Sequence, residues 1–143
     1  MTNARPMDLE VQHLLHRLFY CLDTRDYRGV AAAFHEDGVW LRQGKRLVGP
    51  AQIVEALEQR SPTMVIHHVI TNLFLEPAGE RAAKLTCYLT AYRHDGGAPP
   101  SGPAPLTGPA QVGFCHGEVS QVASRWRLSH LATAAPTFLA SVK

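Results

Sequence analysis

The spacing of apolar residues changes character part-way along the chain, and that change limits the folds open to it. Over 7–34, and again over 51–59, they recur at three- and four-residue intervals; from Thr63 the chain reads mainly as strand, with two-residue alternation. Leu9, Leu14, Leu15, Leu18, Phe19 and Leu22 make one stripe and predict a helix over 7–22, with Asp8 as N-cap after Pro6. A shorter helix is predicted over 25–34, with Val30, Ala31 and Phe34 inward and Asp23 or Thr24 as its cap. Two short apolar runs, 39–42 and 45–48, flank Gln43-Gly44 and predict a hairpin. Gly49-Pro50 then leads into a third helix over 51–59, with Ile53, Ala56 and Leu57 inward and Pro50 suited to its first turn.

The segment 63–76 is rich in β-branched residues and predicts a long strand. Met64, Ile66, His68, Ile70, Asn72 and Phe74 share one face, and Val65, His67, Val69, Thr71, Leu73 and Leu75 the other. Both faces are largely apolar, so both are expected to be covered. A second strand is predicted over 81–94, and two more over 111–122 and 125–139 with Ser124 in the tight connection between them. Residues 95–110 hold five Pro and four Gly and read as a flexible loop. Helices followed by strands indicate α+β, and 143 residues with 45% hydrophobic content indicate a single domain over 1–143 with a sizeable core.

Fourteen Lys and Arg against 12 Asp and Glu leave a net charge of +2, too little to mark a nucleic-acid or anionic-membrane surface. No run approaches the roughly 18 apolar residues of a membrane span. The N-terminal stretch lacks the basic and apolar regions of a secretory signal. Cys21, Cys87 and Cys115 are odd in number and follow no framework spacing, so free thiols in a cytoplasmic setting are expected.

Several short segments occur in a telling order: Leu22-Asp23-Thr24-Arg25-Asp26-Tyr27 at the exit of the first helix, Gly49-Pro50 before the third, His68-Val69-Ile70-Thr71-Asn72 on the first long strand, and Trp126-Arg127-Leu128 on the last. This set, spread over about 9–138, resembles the SnoaL-like branch of the NTF2-like superfamily. The resemblance implies a cone: a strongly bent mixed or antiparallel sheet wrapped by the three N-terminal helices, open at one end around a mostly apolar pocket. Within the branch the chain is most similar to scytalone dehydratase and lindane dehydrochlorinase, lyases that need no cofactor and use an Asp–His pair. Asp23 matches the position of their aspartate and His68 that of their histidine, with Asn72 following as in the dehydrochlorinase. Near the dehydratase's second histidine stand Tyr92 or Arg93; near the dehydrochlorinase's arginine stand Gln121 or Val122.

The resemblance therefore implies a lyase or isomerase acting on a small hydrophobic, cyclic or polyketide-like molecule. His68 would take a proton next to a leaving group, and Asp23 would fix its tautomer and stabilise the imidazolium. Tyr92 is the expected assisting donor. Tyr20, Tyr88 and His116 are further donor candidates, and Trp40, Ile66, Asn72, Phe114 and Trp126 complete the expected pocket wall. Each has a plainer reading: Asp23 as a helix cap, His68 as a hydrogen-bonded core histidine, Asn72 as a sheet residue. His13 with His16, and His116 with Glu118, fall short of a metal set, so no metal is expected. Two other functions fit the same cone: a ligand-binding module without catalysis, and a small-subunit-like partner of a ring-hydroxylating dioxygenase. A homo-oligomer, dimer or trimer, is expected to cover the outer sheet face.

Overall fold

A computed structural model describes residues 7–133 and 135–141. In chain order the elements are α1 (Met7–Asp23), α2 (Tyr27–Ala31), β1 (Phe34–Arg42), β2 (Lys45–Val48), α3 (Gly49–Glu58), β3 (Val65–Pro77), β4 (Ala82–His94), β5 (Gln111–Val122), β6 (Arg125–Ala132) and β7 (Pro136–Leu139). The strands form one mixed sheet in the order β2-β1-β6-β5-β4-β3, with β7 also paired to β5. Only β1 and β6 pair in parallel; the other ladders are antiparallel.

α1 lays Val11, Leu15 and Leu18 on the concave side of this sheet, where they are fully buried in one core with Leu85, Leu128 and Leu131. The sheet bends strongly without closing. The result is the expected α+β cone.

Local chemistry sets the element ends. α1 begins at Met7, so Asp8 lies within its first turn, where a negative charge suits the helix dipole, and does not cap it; Pro6 lies outside the described residues. α2 is one short turn, shorter than 25–34. Asp26, not Asp23 or Thr24, caps it by accepting from the Gly29 N–H at 3.0 Å. Phe34 is claimed by the parallel ladder opposite Leu128 and opens β1 instead of closing a helix. At the β1–β2 turn Gln43 and Gly44 both have positive φ (51° and 77°), the mirror-image turn that suits a tight hairpin.

Two departures from strict strand alternation matter for function. At Asn72, φ is +56° and the β3–β4 register slips between Thr71 and Phe74. This bulge moves the strand's parity by one residue. Leu73 and Leu75 therefore pack toward the core, while Phe74 turns outward and is exposed. The expectation that both faces of this strand are covered fails within one chain, because Val65, Val69 and Phe74 stand exposed on its outer side.

The second departure is that 125–139 is two strands. β6, ending at Ala132, pairs with the C-terminal half of β5, and β7, beginning at Pro136, pairs with Gln111–Gly113 at the start of β5. Gly113 permits the close crossing, since a Cβ there would stand 2.9 Å from Pro136 Cα.

Among the described residues no helix is long and apolar enough to cross a membrane. The three cysteines are buried free thiols. Cys87 and Cys115 face one another across β4 and β5, and the hydrogen bond to Cys87 together with burial holds the Cys115 thiol well above the ordinary range.

Candidate active site

Asp23 is the last residue of α1 and His68 the fourth of β3, and the packing of α1 on the bent sheet brings them together. One carboxylate oxygen accepts from His68 Nδ1 at 2.5 Å, and the other accepts from the His68 backbone N–H at 2.8 Å. The carboxylate thus holds both the ring and the strand that carries it. Both side chains are nearly buried, with 10% of His68 and 13% of Asp23 exposed.

A carboxylate can only accept, so Nδ1 carries a proton, and in the neutral imidazole this leaves the lone pair on Nε2. Nε2 has no hydrogen-bond partner among the described residues. The Phe19 ring, its centroid 5.3 Å from that of His68, backs the imidazole from α1.

His68 lines a cavity of about 110 Å³. Its walls come from elements distant in the sheet order: Trp40 and Arg42 of β1, Ile66 of β3, Leu89 and Ala91 of β4, and Gln111 of β5, with Phe19 and Leu22 from α1. β1 and β3 meet across one space because the sheet is strongly bent. Trp40 is buried, and its indole N–H is satisfied by Thr133 Oγ1 at 2.9 Å.

The cavity is less apolar than expected. Arg42, Arg60 and Arg93 line it, and no Asp or Glu does. Burial, and after it the neighbouring Arg60 charge, lowers the proton affinity of the Arg42 guanidinium.

Of the residues singled out from sequence, Asp23, His68, Trp40 and Ile66 meet at this cavity or its edge. The others do not. The inward face of β4 is the Leu85, Cys87, Leu89, Ala91 face, so Tyr88 and Tyr92 point to the outer side and are exposed. Phe114 and His116 occupy the same outer side of β5, stacked on one another with centroids 5.8 Å apart. Tyr20 projects from the solvent side of α1 and is 69% exposed. Asn72 is the exposed bulge residue and takes no part in the cavity wall. Trp126 packs half-buried over a separate groove between α1 and β6.

In these positions Tyr92, Tyr20, Tyr88 and His116 cannot donate to a group beside His68. The residues that the sequence reading passed over are Arg42 and Arg60, with Gln111 and Thr133; Arg93, weighed beside Tyr92 near the dehydratase's second histidine, and Met64, on the His68 face of the strand, both line the cavity. The loop does not lid the cavity along its length: Ala104–Gly108 stand beside Val65, His67 and Val69 on the outer side, and Ala110 alone of its residues borders the cavity. Among the described residues no group of three or more His, Cys, Asp or Glu is placed to hold a metal ion.

No curated protein sequence matches this chain significantly. Solved structures match over most of its length. A Nostoc punctiforme protein of unknown function with a cystatin-like fold aligns with a TM-score of 0.74 at 19% identity, covering 92% of both chains. A scytalone-dehydratase-like protein from Novosphingobium aromaticivorans aligns at 0.77 and 17% identity, over 94% of this chain and 86% of its own. A type 2 hexachlorocyclohexane dehydrochlorinase aligns at 0.76 and 16% identity, over 95% and 88%. At such identities these neighbours speak to the fold. The sequence profile of the SnoaL-like domain matches residues 6–132, nearly all of the cone, and the chain belongs to the SnoaL-like family.

Proposed function

We propose that this protein is a cofactor-independent lyase or isomerase in which His68 is the general base and Asp23 orients it. One observation carries the reading: a nearly buried imidazole, bonded at Nδ1 to a carboxylate, lines a cavity with its other nitrogen unpartnered. A structural histidine buried on a strand would have both nitrogens satisfied. Asp23, for its part, is not needed as a cap, since Asp26 fills that role.

The reaction class follows from what such a base can do. Nε2 takes a proton from a carbon next to an activating group, and the C–H electron pair forms a C–C double bond as the leaving group departs with its own bonding pair. The imidazolium is stabilised by Asp23 at Nδ1 and returns its proton to the leaving hydroxide, or to solvent when halide leaves. With Tyr88 and Tyr92 on the outer face of the sheet and Tyr20 on the solvent side of α1, the imidazolium itself serves as the acid for a departing hydroxyl. The names of the dehydratase-like and dehydrochlorinase neighbours agree with this class of chemistry.

The test is turnover by the full chain of cyclic β-hydroxyketones, scytalone included, and of hexachlorocyclohexane. Loss of water or chloride and uptake of solvent deuterium at the α-carbon are the readouts. His68→Ala and Asp23→Asn should each lose about 10²-fold or more in kcat while keeping the wild-type circular dichroism. Full activity in either variant overturns the mechanism.

A further inference from the structure

The cavity beside His68 carries more positive charge than proton abstraction needs. Arg42 and Arg60 enter it from β1 and from the residue two beyond α3, and Arg93 stands at its β4 side. The contacts that hold Arg42 and Arg60 there are with neutral groups. The Arg42 guanidinium lies over the Trp40 ring, 5.7 Å from the centroid. Arg60 lies over the Tyr27 ring at the same distance, and its Nη1 donates to the Leu22 carbonyl at 2.9 Å and the Tyr27 hydroxyl at 3.2 Å. Neither has a carboxylate partner among the described residues.

The groove that continues from the cavity shares Arg42, Gln43, Arg60 and Met64 with it and adds Lys45, again without an acidic residue. Arginines stay charged at any ordinary pH, so two of them held side by side and half-buried repel one another. Packing on Trp40 and Tyr27 holds the pair at the cavity, where an incoming anion would relieve the repulsion.

Resting on the reading above, we infer that the substrate of this site carries a carboxylate, received by Arg42 and Arg60, on an apolar body that lies among Phe19, Ile66 and Leu89 beside His68. The planar guanidinium matches a carboxylate edge-on, which a neutral carbonyl or amide cannot reproduce. The same pair would hold the molecule in one orientation, presenting one carbon to Nε2.

The experiment is calorimetric titration of the full chain with benzoate and with its neutral isostere benzamide, followed by Arg42→Gln and Arg60→Gln. Benzoate should bind at least tenfold tighter than benzamide, and weaken on raising NaCl from 50 to 500 mM. Arg42→Gln should lose at least tenfold in benzoate affinity and leave benzamide unchanged. Arg60→Gln should do the same where it stays folded; its bonds to Leu22 and Tyr27 make it the riskier variant, so Arg42→Gln decides. Equal affinities for the two probes, undetectable benzoate binding, or benzoate affinity unaltered in Arg42→Gln each overturn the inference. Because the readout is binding, arginine-dependent capture of benzoate with no lyase turnover would overturn only the catalytic reading, whereas turnover of neutral substrates without arginine-dependent binding would overturn only this one.

Discussion

Asp23 had two possible uses, and the competition between them was settled by a residue three positions on. A helix entrance needs an acceptor, and Asp26 supplies it to the Gly29 N–H. Asp23 is thereby free to reach across to β3, where both of its oxygens are used on His68. Asn72 shows the converse. It follows His68 at the spacing expected of a pocket residue, yet its backbone lies in the left-handed region that asparagine tolerates better than other side chains with a Cβ. Its side chain identity is explained by the bulge. Asn72→Gly should accordingly be close to neutral for stability, and Asn72→Ala should cost about 1 kcal/mol, with turnover unchanged in both; chemical denaturation read beside an activity assay checks this. A loss of activity without loss of stability would return Asn72 to the site.

At the scale of elements, the sequence carried the helix stripe, the early hairpin and the starts and ends of β4 and β5 to within a residue, because local periodicity and turn chemistry decide them. It did not carry the bulge in β3, the division of 125–139 into β6 and β7 or the inward face of β4, because those depend on which strand lies alongside. The misplacement of Tyr88 and Tyr92 is a parity error of that kind: both faces of β4 read as plausible, and only the ladder to β3 and β5 chooses. The arginines were missed for a related reason. Arg42 beside a hairpin turn and Arg60 just past a helix end both read as solvated charges, and only the curl of the sheet brings them to one cavity.

Two element-scale expectations follow. The β5–β6 turn places Ala123 and Ser124 at φ of 52° and 66°, a conformation that Asn-Gly adopts with less strain. The double change Ala123→Asn, Ser124→Gly should raise stability by about 1 kcal/mol, seen as a higher Tm. At the start of the long loop, Asp95 is held down to about 2 by the hydroxyls of Ser61 and Thr63 and by the Gly97 N–H. Its folded-state value is below the unfolded one, so the tether is fully present above pH 4 and is lost as pH falls toward 2. Protection of the Gly97 amide, taken relative to its intrinsic exchange rate at each pH, should fall over that interval in the wild type and be absent throughout in Asp95→Ala.

The whole molecule turns one face inward to a cavity and the other outward to solvent, and the outward one is not built like a solvated surface. Val65, Val69 and Phe74 of β3, Tyr88 and Tyr92 of β4, and Phe114 of β5 are all exposed on it, across three neighbouring strands. Tyr88 and Phe114 already meet edge to face, with centroids 5.4 Å apart, so the centre of the face is an ordered aromatic surface. Contiguous apolar area of this kind usually marks a protein interface, and a second copy of the chain laying the same face against it would cover both at once by two-fold symmetry. The expected outcome is a dimer in sedimentation equilibrium at micromolar concentration, reduced to monomer by Tyr88→Glu, whose side chain lies at the middle of the face and away from the cavity. Because Tyr88 points away from His68, the dissociated variant should keep its binding of benzoate within about twofold. A wild-type chain that sediments as a monomer would mean that this aromatic face is tolerated bare, and that the strand's two-sided apolar character serves the folding of the sheet alone.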